Sequence, residues 1–166
     1  MLLFSALMAL PCALLAAGDT AVDRATLRGL KAVNVVIDPI HPELEQQGVT
    51  RDALQARIEK QLQAAGVAID NNALEFLALR IIPAREKRGP YCISITLSLY
   101  QPVVLVRDRE IKTATDTWQV ATLWAMQPKA VYESTVGAVD QLAARFTEVY
   151  QSENPQGWRG ASPPPK

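Results

Sequence analysis

The stretch YCISITLSLYQPVVLVRD, residues 91–108, decides the fold. From position 91 to position 100, apolar side chains fall on one parity, and small polar side chains with one tyrosine fall on the other. This alternation is typical of a β-strand that buries one face and turns the other to solvent. The apolar set is Tyr91, Ile93, Ile95, Leu97 and Leu99, and the opposite set is Cys92, Ser94, Thr96, Ser98 and Tyr100.

Two amphipathic helices are predicted to cover the apolar face of this strand. The first spans residues 51–65, where Thr50 can cap the amino terminus and Gly66 supplies a left-handed stop. The second begins near Pro128 and keeps a 3.6-residue apolar period to about Ser152. We therefore expect the apolar side chains of the quoted strand to rest on Leu54, Ile58, Val139 and Phe146 or their neighbours.

The remaining segments predict further strands. Residues 74–82 are ambiguous between helix and strand, but their alternation and the turn signals on both sides favour a strand. The quoted strand can run to Val106, and Pro102 within it indicates a bulge or an edge position. The other predicted strands are 30–40, 67–70 and 111–124, with a loop at 83–90 and a charged turn at 107–110.

This order of elements predicts an α+β two-layer sandwich. A mixed, mainly antiparallel sheet of about four to five strands would carry both helices on one face. The domain would span residues 30–153, preceded by a leading segment at 18–29 and followed by a flexible tail rich in proline and glycine at 154–166.

The first residues predict export. After Met1 comes an apolar run of 16 residues that holds no charge and ends in small side chains before Gly18. Its length is typical of a secretory signal, cleaved near Ala17 or Gly18, so residues 1–17 would be removed. No Lys or Arg precedes the run, which indicates either a weak signal or a start codon further upstream. Cys12 lies inside the run without the Leu-Ala-Gly-Cys pattern of lipid attachment, which disfavours a lipoprotein.

Charge and cysteine content narrow the class of protein further. The 17 basic and 17 acidic residues cancel, so no net field directs the chain to nucleic acid or to an acidic membrane. After signal removal one thiol, Cys92, remains, so an intramolecular disulfide is excluded. About 149 residues are enough for one domain with its own core and without a disulfide.

Short motifs make the chain resemble a group of exported bacterial proteins of similar length that have no assigned activity. They are GVT at 48–50, LQ at 54–55, AGV at 65–67, QPVVLVR at 101–107 and TW at 117–118. The resemblance covers roughly residues 30–154 and concerns helix ends and strand cores, so it implies a fold and no activity. The element order is also similar to that of the lipopolysaccharide-assembly lipoprotein of the outer membrane and the amino-terminal domain of the TolB protein, as an analogy of fold.

Catalytic and metal-binding candidates are few. His41 is the single histidine, and with Asp38 and Glu43 it could in principle meet a metal, but no second His or Cys stands near, so a solvated turn is favoured. Cys92 lacks a neighbouring base and is interpreted as a small strand residue. Two basic clusters, residues 85–88 and 107–112, should lie at opposite ends of the sheet and form no joint anion site. No cofactor or metal is predicted.

The hydroxyl-lined face is the main functional candidate. Two interpretations are open: a solvated face of residues with good strand propensity, or a contact surface for another protein. Tyr100, Trp118 and Trp124 could anchor such a contact, although the strand parity leaves open whether the two tryptophans belong to the core. The candidate contact residues are Ser94, Thr96, Ser98, Tyr100, Thr115 and Thr117, with Thr113 and Gln119 as neighbours on the same face.

The sequence thus favours a non-enzymatic exported protein, periplasmic or secreted in a Gram-negative bacterium. It would act through contacts with another envelope protein or a second copy, at an open sheet face or an edge strand, without binding nucleic acid or spanning the membrane. The alternatives are a small module that holds an apolar ligand between helices and sheet and, least favoured, an enzyme whose site lacks a recognisable motif.

Overall fold

The computed structural model describes residues 18–85, 87 and 89–155. The predicted signal at 1–17 and the last eleven residues of the predicted tail, 156–166, lie outside the described residues. Both therefore stay predictions.

Five strands form one mixed sheet in the order β2-β1-β3-β4-β5. β1 lies between β2 and β3 and runs parallel to both, whereas β3, β4 and β5 form an antiparallel meander with long ladders. This arrangement confirms the predicted mixed, mainly antiparallel sheet. The strands are β1 (Ala32–Ile37), β2 (Ala68–Ile69), β3 (Phe76–Arg85), β4 (Tyr91–Leu105) and β5 (Asp108–Met126).

Two long helices lie on one face of this sheet, as predicted. They are α3 (Arg51–Ala64), which contacts β1, and α4 (Val131–Glu153), which contacts α3, β4 and β5. Two short helices precede them, α1 (Ala21–Ala25) and α2 (Pro42–Glu45). The predicted leading segment thus contains one turn of helix, closed at its start by reciprocal hydrogen bonds between Thr20 and Asp23.

The core fills the layer between the helices and the sheet. The apolar parity of β4 is fully inaccessible to solvent at Ile93, Ile95, Leu97 and Leu99. The helix residues expected to cover it are buried as well, namely Leu54, Ile58, Val139 and Phe146. A period of two in the strand and a period of 3.6 in the helices therefore converge on one dry interface.

Of the local predictions at the helix ends, the one for Gly66 is confirmed, and those for Thr50 and Pro128 change in detail. Thr50 stands at the cap position of α3, but its side chain makes no capping hydrogen bond. Gly66 ends the helix with a φ of 85°, the left-handed conformation that glycine adopts at little cost. At Pro128 the chain first makes a 3-10 turn (Pro128–Ala130), and α4 starts at Val131.

The β3–β4 and β4–β5 connections are shorter than predicted. β3 continues through Pro83, which pairs with Ile93, so the predicted loop at 83–90 is largely strand at its start. β5 begins at Asp108, so most of the predicted charged turn at 107–110 also belongs to a strand. Both corrections have one physical reason, because antiparallel neighbours extend each other's ladder beyond the residues with strong strand propensity.

In the part of the chain that the structure describes, no helix combines the length and the apolar composition that crossing a membrane requires.

Candidate functional site

The face of the sheet opposite the helices is built from cross-strand rows of β3, β4 and β5. Residues directly opposite each other in antiparallel strands point to the same side, so each row places three side chains together on this open face. From one end to the other the rows are Phe76–Tyr100–Asp116, Ala78–Ser98–Gln119, Arg80–Thr96–Ala121, Ile82–Ser94–Leu123 and Ala84–Cys92–Ala125.

One end of the open face is apolar. Ile82 and Leu123 flank Ser94, and they remain 56% and 53% exposed. The next row places the exposed Cys92 between two alanines. We call these two rows the apolar end. A single exposed aliphatic side chain is common on protein surfaces, but two that share one face indicate a surface that could be covered by a partner.

The middle of the open face is polar. Arg80 donates from Nε to Oδ2 of Asp38 at 2.7 Å, and this hydrogen bond, with the charge of the carboxylate, raises the pKa of Arg80. The pair borders a shallow cavity of about 150 Å³. The cavity is lined by Asp38, Ala78, Arg80, Thr96, Ser98, Tyr100, Asp116 and Gln119. Its donors and acceptors can bind polar groups, but its one guanidinium is already paired.

The predicted contact residues of β4 lie where the parity placed them. Ser94 and Thr96 are half-buried, and Ser98 is buried although it faces away from the helices. Tyr100 stacks on Phe76 with ring centroids 4.9 Å apart, which fixes its ring against β3. Whether these residues contact a partner stays a prediction.

A bulge corrects the predicted face of Thr115 and Thr117. Leu99 pairs with Trp118 and Tyr100 pairs with Asp116, so Thr117 is an extra residue in β5. Beyond this shift Thr115 pairs with Gln101, and Asp116 takes the place beside Tyr100. The hydroxyl of Thr117 donates to Oε1 of Gln101 at 2.5 Å, on the side away from the open face.

The regular pairing of β5 with β4 after the bulge settles the position of the tryptophans, because Trp118 lies opposite Leu99 and Trp124 lies opposite Ile93. Trp118 is a core residue, 1% exposed, and its ring meets Phe146 edge to face. Trp124 is half-buried and packs against the core on the helix side. Neither ring is free to anchor a contact on the open face.

Beyond Tyr100, β4 and β5 leave the sheet as a two-stranded arm, residues 101–115. β3 begins at Phe76, the partner of Tyr100, so the arm strands pair only with each other. Every residue from 106 to 115 is exposed, and Val106 at the tip is 96% exposed. The predicted length of β4 exceeded that of β3, and this difference was the sequence signal for an overhanging ribbon.

A buried ionic cluster lies at the junction of the amino-terminal segment, β5 and α4. The side chain of Asp19 is 2% exposed and accepts hydrogen bonds from Arg24, Arg145 and Trp118. Burial works to raise the pKa of Asp19, but these three donors together outweigh it and lower the pKa below its usual value. The cluster links distant segments of the chain. Sequence reasoning missed it because Trp118 and Arg145 lie 99 and 126 residues away from Asp19.

The residues considered as metal ligands or as a general base, His41 and Asp38, make hydrogen bonds that stabilise the fold. His41 caps α2, where its Nδ1 accepts from the backbone N–H of Glu43 at 3.3 Å, and Asp38 is held by Arg80. Among the described residues no three His, Cys, Asp or Glu side chains are placed to hold a metal ion. Arg85, at the end opposite the arm, donates to the carbonyl of Gly89 and lies over the ring of Tyr91.

Comparison with known proteins yields likenesses to solved structures alone. No family model and no curated protein matches the chain. PelC from Paraburkholderia phytofirmans, solved as a dodecamer, is 16% identical over 75% of this chain and 88% of its own, with a TM-score of 0.38. A minor lipoprotein from Acinetobacter baumannii is 15% identical over 75% of this chain and 93% of its own, with a TM-score of 0.35. Neither likeness carries a function to this chain.

Proposed function

We propose that the chain is an exported, non-enzymatic envelope protein that acts through protein–protein contacts at its open sheet face. The observation that carries the proposal is the apolar end, where Ile82 and Leu123 stay more than half exposed on a face that no described helix covers. Apolar side chains grouped on one uncovered sheet face favour burial against another polypeptide.

The polar middle of the same face supports specificity rather than catalysis. Asp38 and Arg80 are bound to each other, and His41 is bound to the backbone of its own helix. A general base or nucleophile needs a free acceptor beside the proton that it removes. The hydroxyl group of Thr96 and the amide group of Gln119, both half-buried on this face, are instead suited to hydrogen bonds at an interface.

Export is supported by where the domain begins. Gly18, next to the predicted cleavage site, already accepts a hydrogen bond from the backbone N–H of Gln119, and Asp19 is part of the core cluster. Removal of residues 1–17 would therefore leave every element of the described domain in place.

The ligand-module alternative is less well supported. Ligand pockets usually measure about 300–1,000 Å³. Between α3 and α4, near Leu54 and Val136, the structure has a cavity of about 40 Å³. The cavity beside Trp124 and α4 measures about 180 Å³ and opens at the surface.

Site-specific photo-crosslinking in the producing cell tests the proposal. A photo-reactive amino acid at Ser94 should give one recurrent covalent adduct in the exported fraction, and Leu123→Asp should abolish it. The same group at Gln63, exposed on α3, is the matched control and should give none. The proposal fails if both positions behave alike, or if the protein stays in the cytoplasm with residues 1–17 retained.

A further inference from the structure

The exposed apolar side chains concentrate in two places on this chain. Of the eight large apolar residues that remain exposed in the described part, three lie on the arm and two at the apolar end. Those of the arm are Val104, Val106 and Ile111, and those of the apolar end are Ile82 and Leu123. The two places are different in shape, because one is a projecting ribbon and the other is part of a broad sheet face.

The arm offers free strand edges and exposed aliphatic side chains to a partner. A two-stranded ribbon on its own is marginally stable in water, and stability requires a third strand or a packed surface. One edge of the ribbon is formed by β4 from Gln101 to Leu105, where β3 no longer pairs with it. The other edge is formed by β5 from Asp108 to Thr115, which has no strand on its outer side. Unpaired strand edges and exposed aliphatic side chains are the features that drive association with a second chain.

The two places cannot meet within one molecule. Cys92 at the apolar end and Leu105 near the tip lie in the same continuous strand, β4. Leu105 lies thirteen positions after Cys92, which corresponds to about 43 Å at roughly 3.3 Å per residue. A contact between the arm and the apolar end therefore has to form between two molecules.

We propose that the arm of one copy packs across the apolar end of the open face of a second copy. This inference rests on the proposed contact function and names the partner as another copy of this chain. Each copy then carries one projecting element and one receiving surface, so the contact is head-to-tail and repeats until it closes into a ring or continues as a filament.

The charges of the arm favour a protein partner over a lipid surface. Arg107, Arg109 and Lys112 alternate with Asp108 and Glu110 within six residues. An acidic membrane binds clusters of basic residues. Burial of Val106 in lipid would also bring the neighbouring acidic side chains towards the membrane, which is unfavourable. Mixed charges can stay at the rim of an interface while the aliphatic side chains are covered.

Cysteine crosslinking tests the contact directly. The full exported chain with Val106→Cys, treated with a short bis-maleimide, should form covalent dimers and higher species that join position 106 to Cys92 of another molecule. Mass spectrometry of a mixture of isotopically labelled and unlabelled protein should place this link between molecules. Leu74→Cys, at a residue that is 75% exposed in the segment before β3 and belongs to neither place, is the matched control and should give few such species.

Complementary variants test the head-to-tail geometry. Val106→Asp disables the arm and keeps the receiving surface, whereas Leu123→Asp does the reverse. Light scattering should show each variant as a monomer at a concentration at which the wild type is oligomeric, and a mixture of the two should stop at dimers. Val22→Asp, on the exposed side of α1, should leave the wild-type assembly unchanged.

Two outcomes would overturn the self-assembly. One is a wild type that stays monomeric together with a Val106→Cys variant that gives no link from position 106 to Cys92. The other is an oligomer that both Asp variants leave intact. If the Ser94 photo-adduct then identifies a different protein, the contact function of the open face stands and only the choice of partner is wrong. If the Ser94 photo-adduct is absent as well, both proposals fall.

Discussion

The two faces of the sheet share every strand and differ in almost everything else. On the face beneath α3 and α4, side chains such as Leu97 and Leu99 are inaccessible to solvent, and one carboxylate, Asp19, is tied by three donors. On the open face, aliphatic Ile82 and Leu123 are exposed, and polar Ser98 is buried. The difference teaches that large aliphatic side chains of the sheet are buried where the helices cover them and stay exposed where no helix does, whereas the small Ser98 is buried within the open face itself.

The largest expected difference in stability is between substitutions at two neighbouring residues of β4. Leu97→Asp should unfold the domain, because burying an unpaired carboxylate costs several kcal/mol out of a typical stability of about 5–15 kcal/mol. Thr96→Asp, one residue away on the open face beside Arg80, should stay folded with a near wild-type melting temperature. Thermal melts followed by circular dichroism distinguish the two variants. If both substitutions lower the melting temperature equally, the helices do not bury one face of β4 and leave the other open.

A smaller difference in the free energy of unfolding is expected between alanine substitutions at two neighbouring isoleucines of β3. Ile81 is 5% exposed and Ile82 is 56% exposed. Ile81→Ala should lower the free energy of unfolding by about 2–5 kcal/mol through lost burial and a cavity. Ile82→Ala should change it by less than about 0.5 kcal/mol. Urea titrations of both variants measure these values, and a large loss from Ile82→Ala in the isolated monomer would contradict the open face.

The buried carboxylate gives the third test. Asp19→Ala should cost about 3 kcal/mol, because two guanidinium groups and the Trp118 indole lose their acceptor. Asp140 provides the matched control, since its ion pair with Arg57 lies at the surface. Asp140→Ala should therefore leave the melting temperature close to that of the wild type. Similar losses of stability in both variants would mean that the Asp19 cluster does not stabilise the fold more than a surface ion pair does.

The smallest effect is the pH dependence of the same cluster. The pKa of Asp19 is lowered in the folded state, so between its folded and unfolded values the unfolded chain binds more protons and stability falls as the pH falls. The unfolded value is about 3.9. The advantage of the wild type over Asp19→Asn in melting temperature should be full at neutral pH and should shrink below about pH 4. An advantage that grows on acidification would reverse the assigned direction.

Local patterns were sufficient for much of this fold. The alternation at 91–100 placed Leu97 inside and Thr96 outside, and Gly66 marked the end of α3 because its left-handed conformation depends on one residue. The candidate surface was predicted only in part. Ser94 and Thr96 were placed on the open face correctly, but a one-residue bulge moved Thr115 and Thr117 off it. A single inserted residue reverses side-chain parity, and propensity does not locate such an insertion.

By itself the sequence determined the periodicities, and with them the elements, the dry side of β4 and the helix stripes that cover it. Only the tertiary structure decided which strands lie next to each other, where β3 stops and frees the arm, and how Asp19 meets partners 99 and 126 residues away. The physical reason is range. Side-chain periodicity is set by neighbours within a few residues, whereas an overhang, a bulge or a buried ion cluster exists only after distant segments have come together.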